Sequence, residues 1–210
     1  MRVLLFGATG MVGQGVLREC LLDPDVTEVV AVGRSSTGQT HTKLREVIAP
    51  DLFNLAPLPG FDACFFTIGQ TSAGMSEADY TRITFDLTMA VAKAVIDPQM
   101  TFVFVSGAGT GGKAMWARVK ARAENALLQM PFKAAYMFRP GMIQPMHGIQ
   151  SRTRSYRVFY MFFGWLMPIL RPLLPGYVTS TEQIGRAMLA VAKRGYPKKI
   201  LESRDINDLT

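Results

Sequence analysis

The stretch that most limits what this chain can fold into is Arg2 to Gly15, RVLLFGATGMVGQG. Five mostly apolar residues, Arg2 to Phe6, run straight into Gly7, Gly10 and Gly13 at the spacing G-x-x-G-x-x-G. Val12, Val16, Leu17 and Leu21 then recur as an apolar helical pattern, so the segment reads as strand, tight turn and helix. Each glycine has a task in such a turn. Gly7 lets the chain leave the strand with backbone angles that a side chain resists, Gly10 lets a pyrophosphate approach the backbone, and Gly13 lets the helix lie close to the sheet. The unpaired N–H groups of the first helical turn, with the positive end of the helix dipole, then face the phosphates. Gly7, Thr9, Gly10, Met11, Val12 and Gly13 are therefore candidate cofactor-binding residues. The plainer alternative is a glycine-rich turn of an α/β domain with no ligand.

Strand and helix signals alternate from there on. After the break at Asp23-Pro24-Asp25, the β-branched run Thr27 to Gly33 predicts a second parallel strand and completes a βαβ unit. The end of that strand meets the adenosine ribose, where an acid would bind both ribose hydroxyls and an arginine would neutralise a 2′-phosphate. The residues there are Gly33, Arg34, Ser35 and Ser36, with no acid among them, which favours NADP(H) over NAD(H). The bland reading of Arg34 is a solvated loop charge. Leu44 to Ala49 predicts a third strand, and Asp51 either lies near the adenine or caps a turn. Asp62 to Gly69 (DACFFTIG) is an unbroken apolar strand of the kind buried on both faces of a parallel sheet. It brings Thr67, Ile68 and Gly69 to the carboxyl edge, where ligands of open α/β sheets bind.

Tyr80 to Ile96 predicts a helix, and Thr101 to Val105 a strand that ends in Ser106-Gly107-Ala108-Gly109. Ala114 to Met130 predicts a long helix with Trp116 and Lys120 four residues apart on one face. Ala134 to Phe138 is a further strand, leading to Arg139-Pro140-Gly141. This alternation predicts an α/β fold, a Rossmann-type doubly wound parallel sheet flanked by helices.

Composition narrows the partners. Apolar residues at 49% and charged residues at 19% of 210 describe a folded chain of a length suited to one domain. The formal charge of +7 suits phosphates, nucleic acid or an anionic membrane, yet no basic run interleaved with stacking aromatics stands out. A nucleotide cofactor therefore ranks above nucleic acid. Cys20 and Cys64 have the spacing of neither a disulfide framework nor a metal site, and read as packing residues. His41 and His147 have no cluster of metal-site spacing beside them, so no metal is expected. The chain enters a core strand within two residues, which leaves no room for a secretory leader, and a cytoplasmic location is expected.

These segments together resemble the short-chain dehydrogenase/reductase superfamily, in its extended and atypical branch of NAD(P)-dependent epimerase-like and reductase-like proteins. The resemblance rests on FGATGMVG, the VGR that ends the second strand, FFTIG, FVFVSGAG, the helix with Lys120, and FRPG. It looks closest to a small Tat-interacting-protein-like group of NADPH-binding members. The resemblance implies a nicotinamide cofactor held by the turn residues, by Gly33, Arg34 and Ser35, by Thr67, Ile68 and Gly69, by Lys120, and by Arg139, Pro140 and Gly141. In the family a tyrosine and a lysine at Y-x-x-x-K, helped by a serine or threonine, move the proton that accompanies hydride transfer. Here Ser106 matches the serine and Lys120 the lysine, while the tyrosine position holds Trp116. An indole N–H donates but does not ionise usefully near neutral pH. Two functions follow: an oxidoreductase or epimerase-like enzyme whose proton comes from Ser106, Tyr80 or a water, or a non-catalytic NADPH-binding regulatory or redox-sensing protein. Tyr136 and Tyr156 are the other phenols that could reach the cleft.

From Met142 the pattern loosens, and residues 142–178 read as a substrate-side or interface insertion within one domain over 1–210. Arg152, Arg154 and Arg157 are candidates for an anionic group, or a solvated loop. Val158 to Leu170 is the most apolar run, too short at thirteen residues to cross a bilayer. It suits a cover for the cleft, an apolar substrate pocket, a homodimer contact or a peripheral membrane surface. Thr179 to Gly195 predicts a closing helix with Thr179 and Glu182 at capping-box spacing, and Lys198 to Leu201 a last short strand.

Overall fold

The computed structural model describes residues 1–149 and 176–210. The expectations placed on Arg152, Arg154, Tyr156, Arg157 and the run 158–170 lie outside the described residues.

Six strands follow the predicted order: β1 (Arg2–Phe6), β2 (Glu28–Gly33), β3 (Leu44–Ile48), β4 (Ala63–Phe66), β5 (Thr101–Val105) and β6 (Ala134–Arg139). Between them run α1 (Met11–Leu22), α2 (Glu77–Thr81), α3 (Leu87–Ala94) and α4 (Met115–Leu128). The chain then forms β7 (Met142–Gln144), β8 (Val178–Ser180), α5 (Thr181–Arg194), β9 (Ile200–Glu202) and α6 (Ser203–Asp208). The main sheet has the order β3-β2-β1-β4-β5-β6-β9, and its pairings are all parallel. β7 and β8 pair separately.

Burial explains the continuous apolar runs. β4 and β5 are buried throughout, and β1 at every residue after Arg2. Alternation sends Val3 and Leu5 into the core shared with Val16 and Leu17 of α1 and Ile184 and Met188 of α5. Leu4 and Phe6 face the other core, with Leu87 and Val91 of α3 and Leu127 of α4. Two helical layers thus cover both faces, as crossover connections between parallel strands require.

The observed elements depart from the sequence patterns in three places. β4 stops at Phe66, so Thr67 to Gly69 form a loop at the sheet edge. The predicted helix 80–96 starts earlier, because the Ser76 hydroxyl accepts the Asp79 N–H at 3.1 Å, and a π-helical turn, Arg82–Asp86, joins α2 to α3. In α5 the cap is Ser180, accepting from Gln183 N at 3.1 Å, and Thr179 instead pairs with Ile143 as a strand residue. Gly195, with φ of 70°, ends that helix.

Phe66 is 1% exposed, and its ring lies 6.1 Å from Phe6 and 5.9 Å from Phe104. Phe66→Ala is expected to cost about 3–5 kcal/mol of stability through lost burial and a residual cavity, measured by urea unfolding.

Candidate functional site

Sheet order fixes where a ligand can sit. β1 lies between β2 and β4, so the connections leaving β1 and β4 depart to opposite faces and open a crevice at the carboxyl edge. Gly7, the first residue after β1, has φ of +87°, and a Cβ there would lie 2.8 Å from both the Thr67 carbonyl carbon and Ile68 N. A Cβ on Gly13 would lie 2.0 Å from the Gly7 carbonyl oxygen. The first turn of α1 therefore rests directly on the loop below it. Thr67 Oγ1 donates to Phe6 O at 2.8 Å and ties the β4 edge to β1. Gly10 is the N-cap of α1, and no side chain caps this end. Thr9, Met11 and Val12 flank that cap, while Ile68 and Gly69 follow Thr67 along the same edge.

At the end of β2, Arg34 and Ser35 are exposed and Gly33 half-buried. The next residues turn back onto β3. Ser36 Oγ donates to Glu46 Oε2 at 2.7 Å, and Thr37 N donates to Glu46 Oε1 at 2.6 Å. A small hollow is lined here by Gly7, Thr9, Gly33, Ser35, Thr37 and Glu46. The hydrogen bonds from Ser36 and then Thr37 hold the Glu46 carboxyl below the ordinary carboxylate range, so it is ionised at neutral pH. Sequence reasoning missed Glu46, because it reaches this hollow from the neighbouring strand. Asp51 accepts from Phe53 N at 2.9 Å and Asn54 Nδ2 at 2.6 Å, and so caps a turn.

Ser106, Lys120 and Trp116 converge at the end of β5. Ser106 is buried, and its Oγ lies 2.8 Å from Thr110 Oγ1. Thr110 Oγ1 donates to Gly107 O at 2.8 Å. A hydroxyl has one proton, so with that proton directed at the carbonyl, Ser106 is the donor to Thr110. Lys120 Nζ donates to the Ser106 carbonyl oxygen. Burial pushes the Lys120 pKa down from 10.5 to about 8, against the opposing pull of Glu124. The indole of Trp116 packs on Gly109, 3.4 Å from where a Cβ of that residue would stand.

The other candidates are held elsewhere. The Arg139 guanidinium pairs with both oxygens of buried Glu124, Nε at 3.0 Å from Oε1, and lies 3.5 Å from Glu202. Its neighbours contribute backbone: Pro140 O accepts from Ala108 N at 2.9 Å, and Gly141 N donates to Ser203 Oγ at 2.8 Å. Tyr80 is 2% exposed, and burial raises its pKa. Tyr136 lies in the α1–α5 core and its hydroxyl accepts from Tyr196 N at 2.8 Å. Neither phenol bonds to Ser106 or Lys120 among the described residues.

His147 acquires the carboxylate neighbours that its sequence spacing hid. Ligating atoms of Glu19, His147 and Glu182 lie within 4.8 Å of one another. His147 Nε2 is 2.8 Å from Glu182, while Arg186 reaches Glu182 at 2.6 Å and Glu19 at 3.1 Å. Arg18 also pairs with Glu19. In this arrangement both carboxylates are engaged by cations, and the network joins α1, α5 and the His147 turn. Both cysteines are buried and unpaired, as packing residues should be. Among the described residues, no helix is long and apolar enough to cross a membrane.

No family model matches the chain. Its fold is that of the short-chain dehydrogenase/reductase superfamily. A short-chain dehydrogenase/reductase of Saccharomyces cerevisiae superposes with a TM-score of 0.66 over 99% of this chain and 98% of that one, at 15% identity. A UDP-glucuronic acid 4-epimerase of Bacillus cereus, solved with NAD, gives 0.68 over 96% of this chain and 77% of that one, at 12% identity. Curated relatives are nearer in sequence. The Emericella nidulans protein fmp52, mitochondrial, is 27% identical over 200 residues, covering 88% of this chain and 84% of its own. The Aspergillus oryzae protein fmp52-1, mitochondrial, is 31% identical over 197 residues, covering 87% of this chain and 82% of its own. These names overturn the expectation of a cytoplasmic location, since they point to the mitochondrion. A start that leaves no room for a secretory leader does not fix the compartment. With that degree of identity and coverage, the chain belongs to the Fmp52 family.

Proposed function

We propose that this chain is a nicotinamide-dinucleotide-binding protein, one domain over 1–210, of the oxidoreductase or epimerase-like kind. The observation that carries this reading is the Gly7–Gly13–Thr67 construction at the sheet's switch point, below a helix N-terminus without a side-chain cap. The residues present fit a dinucleotide: side chains at Gly7 or Gly13 would collide with backbone, and their absence leaves the first-turn N–H groups of α1 facing the crevice edge. Gly7, Thr9, Gly10, Met11, Val12 and Gly13 would hold the pyrophosphate, and Gly33, Arg34 and Ser35 the adenosine end. Thr67, Ile68 and Gly69 border the crevice, and the backbone at Pro140 and Gly141 supports the loop after β5. The Arg139 side chain serves Glu124 instead. Arg34, with no acid beside it on its own strand, favours NADP(H). The relatives' mitochondrial names support the same compartment for this chain.

A bound nicotinamide supplies or accepts hydride, and the protein's task is then to handle a proton. Among the described residues, Lys120 is the ionisable group beside Ser106, placed by its bond to Ser106 O and tuned by burial. Ser106 presents an oxygen lone pair, because its own proton is directed at Thr110. Trp116, at the position where the superfamily has its tyrosine, supports the second reading, in which the chain binds dinucleotide without turnover. Residues 142–178 remain the segment proposed to meet an apolar small-molecule substrate or a second copy.

Calorimetric titration is expected to show NADPH binding that weakens about tenfold in Arg34→Ala, as loss of a charge facing the 2′-phosphate implies; no binding of either dinucleotide would overturn the reading. Trp116→Tyr is expected to raise NADPH oxidation with a panel of carbonyl compounds by about 100-fold, the usual scale of one positioned proton donor. Lys120 should lose its proton near pH 8, seen by NMR of the methylated side chain. Between about pH 8 and 10.5 the unfolded chain keeps a Lys120 proton that the folded chain has released. The stability of the wild type relative to Lys120→Met should therefore rise with pH across that window, in paired urea titrations.

A further inference from the structure

The end of β2 lacks an acid, yet the adenosine hollow does not. Glu46, from the middle of β3, lines the same hollow as Gly7, Thr9, Gly33 and Ser35. It is half-buried, and its two oxygens accept hydrogen bonds from Ser36 Oγ, Thr37 N and the Thr37 side chain, all in the loop that follows Arg34 and Ser35. A carboxylate has about four lone-pair positions, so one remains for a ligand. The loop bonds also keep Glu46 charged. Arg45, the adjacent cation on β3, is directed to Glu28 at 3.3 Å and is not bonded to Glu46.

We propose that Glu46 is a second determinant of dinucleotide choice: its carboxylate accepts from a ribose hydroxyl and repels a 2′-phosphate, opposing Arg34. This rests on the dinucleotide reading above and refines it. An anion on a ribose oxygen in this hollow would meet one fixed negative charge on its lining, whereas Arg34 is exposed between the lining residues Gly33 and Ser35. The preference for NADP(H) is therefore narrower than Arg34 alone would set, and NADH remains a competent ligand. Glu46 does through β3 what an acid at the end of β2 does in a dinucleotide fold that selects NAD.

The test is parallel titration of NADPH and NADH into the full chain carrying Glu46→Gln, Glu46→Ala or Glu46→Asp, with circular dichroism to confirm folding. Glu46→Gln keeps an acceptor for Thr37 N and removes the charge. It is expected to tighten NADPH about tenfold relative to NADH at low salt, and less at high salt, as a partly exposed charge requires. Glu46→Ala should raise the same ratio while weakening both ligands, because the loop loses its anchor. Glu46→Asp, which keeps the charge, should leave the ratio within about threefold of wild type. If both charge-removing variants bind both dinucleotides with an unchanged ratio, Glu46 is only a loop anchor and the proposal is wrong. Failure of the wild type to bind either dinucleotide would instead overturn the underlying reading and this one with it.

Discussion

The contact on which this structure depends is the one between Gly13 and the carbonyl of Gly7. With only 2.0 Å between that oxygen and the place of a Cβ on Gly13, no side chain can enter without moving α1 off the sheet. The opposite side of α1 is as tightly fixed. A Cβ on Gly15 would stand 2.5 Å from Cβ of Thr181, and one on Gly185 would stand 2.8 Å from Cγ of Glu19. α1 is thus held between the first loop and α5 by missing side chains on both faces. The Glu19, Glu182, Arg186 and His147 network closes over the same crossing. The geometry of the crevice mouth is consequently a property of the packing between helices and sheet, and the loop is carried along with it.

Much of this was legible in the amino-acid sequence. Runs such as FVFVSG and ACFF announce strands buried on both faces, since nothing else in a chain of this size hides so many consecutive apolar side chains. The turn was legible because its glycines are required by sterics at fixed spacing. What stayed hidden depends on partners far away in the chain. Glu46 reads locally as a charged residue in a short, half-exposed strand, and becomes part of a site only through the parallel pairing of β2 with β3. Arg139 reads as a ligand residue until β6 brings it to Glu124 on α4. The π-turn at Arg82–Asp86 lies within an apolar spacing that an ordinary helix also satisfies. Ser180 and Thr179 both carry hydroxyls before the same helix, and only strand pairing with β7 decides which one caps it.

Charge at the two ends of the crevice is organised by different means. At the β2 end the charges stand on neighbouring strand and loop, Glu46 held by hydrogen bonds from Ser36 and Thr37 and Arg34 exposed. At the β5 end the cation Lys120 is held against a backbone carbonyl, and its neighbour Glu124 is already occupied by Arg139. Desolvation outweighs the pull of Glu124, and the lysine sits near the edge of losing its charge.

That edge matters because, among the described residues, no phenol bonds to Ser106 or Lys120. The indole of Trp116 has no proton to transfer at neutral pH. The Ser106 proton points to Thr110, and the Thr110 proton to the carbonyl of Gly107, so this hydroxyl chain ends on an acceptor that cannot return a proton. Reversing it would leave the Gly107 carbonyl without its hydroxyl donor. Lys120 alone among these groups can change protonation state within the physiological range, and its bond to Ser106 O fixes one of its three N–H directions while leaving two. Among the described residues at this site, Lys120 is thus the group whose chemistry suits proton transfer, directly or through water.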